Sequence, residues 1–116
     1  MYQVYLADHF LHQLKRYLKK HKTLDHDLIE TLQNFNTETA QRLGRKLYKV
    51  RLRSIDMPKG KSKSFRLIIF LFEIKTTLVP VTIYYKGDRS GISEKEIEHH
   101  LAMVLADVQQ KKFLSR

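Results

Sequence analysis

Residues 45–66 read RKLYKVRLRSIDMPKGKSKSFR. From Lys46 to Arg53 the stretch alternates. Tyr48, Val50 and Leu52 fall on one face and Leu47, Lys49, Arg51 and Arg53 on the other, the two-residue period of a β-strand. Ser54 to Lys63 is polar and carries Pro58 and Gly60, the composition of a loop. Phe65 to Phe72 then supplies a dense apolar run suited to a central strand. Nine bases and one acid (Asp56) lie in these 22 residues, so they hold +8 of the chain's +10 net charge. Charge concentrated on one face of a strand pair marks a surface for a polyanion.

Outward toward the N-terminus, residues 2–6 (YQVYL) read as a short strand. Asp8 can cap a helix whose apolar stripe is Phe10, Leu11, Leu14, Tyr17 and Leu18. Thr23 or Asp25 can cap a second helix carrying Leu24, Leu28, Ile29, Leu32 and Phe35. The short break between them predicts an antiparallel helical hairpin. Toward the C-terminus the chain turns over residues 73–77 without a Gly or Asn, and Leu78 to Tyr85 is a further strand. Pro80 within it predicts an edge position or a bulge. Ser93 and Glu96 form a capping box for a last helix, whose apolar face is Ile97, Leu101, Val104, Leu105 and Val108. The order βααβββα predicts a single α+β domain over 1–116, with helices on one face of an antiparallel sheet.

Bulk properties narrow the function. A chain of 116 residues with 42% hydrophobic and 29% charged content is an ordinary globule with enough length for one core. Its pI of about 9.9 predicts an anionic partner. There is no cysteine, which excludes disulfides and thiolate metal sites and agrees with a reducing, cytoplasmic setting. No secretory signal is expected, because Asp8 and His9 interrupt the start, and the longest apolar run, Leu67 to Phe72, is too short for a membrane span. His9 and His12 have helical i, i+3 spacing, but no suitably placed acid completes a metal site. His99 and His100 point about 100° apart on a helix. Neither a metal nor any other cofactor is expected. A phosphate loop, a Gly-x-Gly-x-x-Gly turn and a serine elbow are all missing.

Four segments together resemble the RelE/ParE toxin superfamily, with the HigB-like and RelE-like toxins of type II toxin–antitoxin systems as the nearest branch. They are Leu47-Tyr48-Lys49-Val50-Arg51-Leu52, Gly60-Lys61-Ser62 leading into Phe65-Arg66, Thr82-Ile83-Tyr84-Tyr85-Lys86, and Ile92-Ser93-Glu94-Lys95-Glu96-Ile97. The resemblance implies a ribosome-dependent mRNA endonuclease that represses translation and is held inactive by a cognate antitoxin, either as a monomer or in complex with it. Two rivals are kept. One is a ParE-like gyrase poison, and the other is a non-catalytic nucleic-acid-binding module of the same fold. One departure stands out. Where the branch usually has two glycines before the aromatic-Arg pair, this chain has Lys63 and Ser64.

RNA can be cut without a metal when the ribose 2′-OH attacks its own 3′ phosphate, given proton transfer and cations at phosphorus. By the resemblance, Arg66, Lys49, Tyr84 and Lys86 are the expected catalytic positions. The expected RNA-binding positions are Arg45, Arg51, Arg53, Lys59, Lys61 and Lys63. A strand period places Lys49, Arg51 and Arg53 on one face, with Arg66 on the next strand and Tyr84 with Lys86 on the one after. Pairing of the strands in sequence order would bring these groups together. The competing readings are a solvated or generic RNA-binding surface, a Tyr84 that packs against a helix, and an Arg66 that pairs with Glu73 or Asp88.

Overall fold

The computed structural model of the chain describes residues 2–52 and 64–114. One five-stranded sheet runs in the order β1-β5-β4-β3-β2. The strands are β1 (Gln3–Val4), β2 (Gln41–Gly44), β3 (Leu47–Leu52), β4 (Phe65–Phe72) and β5 (Thr77–Tyr85). β2 to β5 pair antiparallel, as the period-two segments and short connections predict. β1 departs from this, running parallel to β5 against Thr77 and Leu78. A helical hairpin separates it from the rest of the sheet, and parallel pairing needs such a long crossover. Near Pro80 the partners of Ile68 and Ile69 jump from Thr82 to Pro80, which leaves Val81 as an extra residue on β5. The proline sits at a bulge, one of the two positions expected for it.

α1 (Asp8–Leu18) and α2 (Leu24–Gln33) are the predicted hairpin. Their buried residues Phe10, Leu14, Leu24, Leu28 and Leu32 pack with Phe65, Leu67, Ile69, Leu71 and Tyr48. α3 (Glu94–Leu114) packs on the opposite face, through Ile97 on Ile68 and Val81 and through Val104 on Val79. The expectation of helices on one face is therefore corrected: the sheet is covered on both. β4 and β5 are apolar on both sides, and only coverage of both faces removes that surface from water.

Three local features were not predictable from pattern. β2 was missed because QRLG has no alternation and is exposed throughout. It is held by pairing with Leu47 to Lys49 and by Arg42, which lies over the Tyr48 ring and donates to its hydroxyl at 3.0 Å. At the start of α1 the cap position is Ala7 rather than Asp8, and it offers no side-chain bond. Asp107 of α3 takes over that task, accepting the His9 N–H at 2.8 Å. The turn after β4 closes with Thr76 at φ 49°, left-handed backbone on a β-branched residue.

Candidate nucleic-acid interface

The register of the three central strands sets Arg51 directly opposite Arg66, and Arg66 directly opposite Tyr84. Lys49, two residues before Arg51, shares its face of β3. Directly opposed residues hold their Cβ atoms about 5 Å apart, and like charges in that position are destabilising. Burial and the neighbouring Arg51 both lower the pKa of Arg66 below the usual arginine value, while Tyr84 acts in the opposite sense. Arg66 donates to the Ser64 hydroxyl. Among the described residues no carboxylate pairs with Arg51 or Arg66. Glu73 lies just past the far end of β4, and Asp88 lines a different cleft, so neither forms the ion pair considered for Arg66. Two opposed guanidiniums without a counter-charge form a ready site for an oxyanion.

Lys49, Arg51 and Arg66 line a cleft of about 900 Å³ between β3 and α2. Its other wall carries Asp27, Glu30 and Asn34. Asp27 is buried and accepts a hydrogen bond from the Thr23 hydroxyl. Positive potential is thus confined to the strand side of the cleft, and an anion entering it is directed toward β3 and β4.

The remaining expected residues are placed as follows. Tyr84 is 3% exposed, and its hydroxyl is buried with no hydrogen-bond partner among the described residues. The Arg89 guanidinium lies over its ring, 5.9 Å from the centroid. Arg89 is in turn held by two bonds to Glu96, at 2.6 and 2.8 Å. Those bonds bring the Glu96 carboxyl down to about 2, and the Ser93 capping box contributes in the same direction. Lys86 lies just beyond β5, where its N–H donates to the Ser64 carbonyl at 2.8 Å. The strand period that would align its side chain with Tyr84 has ended by then. Arg45 occupies the exposed β2–β3 turn and lines neither cleft. Arg53, Lys59, Lys61 and Lys63 lie outside the described residues.

Three site neighbours, Ser64, Arg89 and Glu96, were not assigned to the site from the sequence. Ser64 was legible only as a departure from glycine, yet its hydroxyl is what Arg66 binds. Arg89 and Glu96 are seven residues apart across a loop and a helix start, a spacing with no recognised signature. Together Arg51 and Arg66 can bind a phosphodiester and stabilise negative charge developing on it. Lys49, in the same cleft, can contribute charge or transfer a proton. Among the described residues, no group of three or more His, Asp or Glu is placed to hold a metal ion, and no helix is long and apolar enough to cross a membrane.

Residues 4–115 match the family described as the RelE toxin of the RelE / RelB toxin-antitoxin system. No curated protein matches the chain. Similar solved structures include a doubly substituted E. coli toxin RelE in the free state. It is 19% identical with a TM-score of 0.48, and the alignment covers 77% of this chain and 87% of that one. Another is the intact E. coli RelBE toxin-antitoxin complex, 19% identical with a TM-score of 0.46, covering 72% and 94%.

Proposed function

The chain belongs to the RelE toxin family, and on that premise we propose that it is a metal-independent, ribosome-dependent mRNA endonuclease restrained by a cognate antitoxin. One observation carries this reading. Arg51 and Arg66 oppose each other across β3 and β4 without a carboxylate between them among the described residues. A scaffold retains such a pair at a cost to stability, and an RNA phosphate would relieve it.

In the proposed reaction the ribose 2′-oxygen attacks the adjacent phosphorus and the P–O5′ bond breaks. The products are a 2′,3′-cyclic phosphate and a 5′-hydroxyl. One proton leaves the 2′-OH and one reaches the departing O5′. Arg66 and Arg51 hold the non-bridging oxygens as charge builds on them. Lys49, Tyr84 and Lys86 are the groups proposed for the two proton transfers. Tyr84 can take part only when the Arg89–Glu96 pair above it opens. The antitoxin is proposed to place an acidic, amphipathic segment against this face or against α3.

Induced expression in bacteria tests the reading. Growth arrest with cuts inside translated frames is expected, and Arg66→Ala should abolish both. Growth arrest with intact mRNA and altered DNA supercoiling would identify a gyrase poison instead. RNA binding without cleavage on translating ribosomes would identify a non-catalytic binder.

A further inference from the structure

A second basic segment lies outside the β3–β4 face. Residues 15–22 read KRYLKKHK, with five bases and no acid, and no acid occurs anywhere between Asp8 and Asp25. The segment spans the end of α1 and the turn that follows. Arg16, Tyr17, Lys20 and His21 line one wall of a cleft of about 630 Å³, and Tyr84 and Tyr85 line the other. Arg16 lies in the last turn of α1 and Lys20 in the turn that follows, and both are exposed and line the cleft. Tyr17, His21 and Tyr85 are half-buried around Phe65, with ring centroids 4.9, 5.0 and 5.2 Å from it, and all three line the cleft.

The absence of a side chain at Gly87 makes room for the Tyr85 ring, since a Cβ there would stand 2.3 Å from it. The register ties the cleft to the catalytic candidate. Tyr84 is directly opposite Arg66, and Tyr85 is directly opposite Phe65.

We propose that this second cleft binds nucleotides of the RNA strand whose phosphate sits at Arg51 and Arg66. Arg16 and Lys20 would contact its phosphates, and the Tyr17, His21 and Tyr85 rings would offer stacking surface for a base. The proposal rests on the endonuclease reading and adds a direction to it: the strand enters along β3 and continues past Tyr84 toward α1. A groove with cations along it and aromatic surfaces between them is the usual means of holding single strands without reading their sequence. The other charges at this cleft leave the task to Arg16 and Lys20. Arg89 is engaged by Glu96 and Asp88 is acidic. Burial lowers the pKa of both His9 and His100, which disfavours their charged forms.

The test uses the whole chain and 2′-O-methyl RNA, which cannot be cut because the attacking hydroxyl is blocked. Binding of a trinucleotide and a nonanucleotide is measured by fluorescence anisotropy across a salt series, for the native chain and for Arg16→Gln/Lys20→Gln. Both substitutions are at exposed sites, and circular dichroism checks the fold. The nonanucleotide should lose at least about tenfold in affinity, far more than the trinucleotide, and its salt slope should become shallower by about 1.4, the value for two phosphate contacts on a single strand. If the nonanucleotide is unaffected but the variant binds mRNA-free ribosomes more weakly, the cleft binds RNA from another source, and the same-strand assignment is overturned. No change with either target would overturn the cleft as an RNA site altogether. Failure of the native chain to cut mRNA on ribosomes would instead refute the endonuclease reading on which this rests, whereas a native chain that cuts there but binds neither oligonucleotide would overturn the cleft proposal alone.

Discussion

The two faces of β4 divide the work of the molecule. Phe65, Leu67 and Ile69 are fully buried under the helical hairpin, and Phe65 is ringed by Tyr17, His21 and Tyr85. One residue along, Arg66 points to the other face, opposite Arg51 and Tyr84. That face begins with the cations Arg66 and Arg51 and becomes apolar where α3 covers Ile68 and Phe70. Both sides of the strand contribute to the core, through the hairpin and through α3, but the candidate chemistry lies on the second face alone. Adjacent residues of one strand should therefore respond to mutation in opposite ways.

The largest effect tests the core side. Phe65→Ala removes a fully buried ring and should cost about 3–5 kcal/mol of unfolding free energy, read by urea denaturation. A cost near zero would mean that the hairpin face does not carry the core. On the other face, Arg66→Ala should lower cleavage by about 100- to 1,000-fold, as loss of one charge-stabilising donor does elsewhere. Its stability should stay within about 0.5 kcal/mol, since the change also relieves the opposition with Arg51. Equal losses of stability from these two substitutions would end the division between the faces.

Tyr84→Phe sharpens the contrast further. The hydroxyl is buried without a partner among the described residues. Its removal should leave stability unchanged or raise it by up to about 1 kcal/mol. If the hydroxyl transfers a proton, cleavage should fall at the same time. Unchanged cleavage would reduce Tyr84 to a packing residue under Arg89.

A smaller effect concerns how α3 is attached to α1. His9 Nε2 and His100 Nδ1 share a hydrogen bond of 2.8 Å. Burial is the largest cause lowering both pKa values. Asp107 opposes it at His9, while His99 and His12 add to it. At His100, His9, His99 and Arg89 add to it and Glu96 opposes it. The folded pKa lies below the unfolded one, so between the two the unfolded chain binds more protons and stability falls as pH falls. The loss begins near the ordinary histidine value of about 6.5 and is complete once the folded pKa is passed. Glu96, held at about 2, stays ionised through this window and does not contribute. Hydrogen exchange in α3, corrected for intrinsic rate, should be faster at pH 5.5 than at 7.5. His100→Gln should remove most of that difference.

The smallest effect is local and should leave both faces untouched. Thr76→Gly at φ 49° should stabilise by about 1 kcal/mol by relieving left-handed strain, without altering cleavage.

Much was legible in the chain itself, because one-dimensional periods report local geometry. The alternation in 46–53 and the apolar run 65–72 specified β3 and β4, and three- and four-residue stripes specified the helices. Ser93 and Glu96 marked the start of α3, and Pro80 marked the bulge. The clustering of Lys49, Arg51 and Arg66 was implied once β3 and β4 were neighbours, because a strand's period fixes which residues share a face. What escaped were features set by partners distant in sequence. β2 has no pattern of its own and exists because β3 offers a free edge. The parallel placement of β1 followed from the helical crossover that separates it from the sheet, and the second helical layer from the need to cover both apolar faces of β4 and β5. The cap on α1 comes from Asp107, about a hundred residues away, and the bond on Arg66 from Ser64, visible only as a missing glycine. Charge, period and caps were thus determined by the sequence alone. Register across strands, coverage of each face and the company each cation keeps were decided by the tertiary structure, because these depend on contacts that no local period encodes.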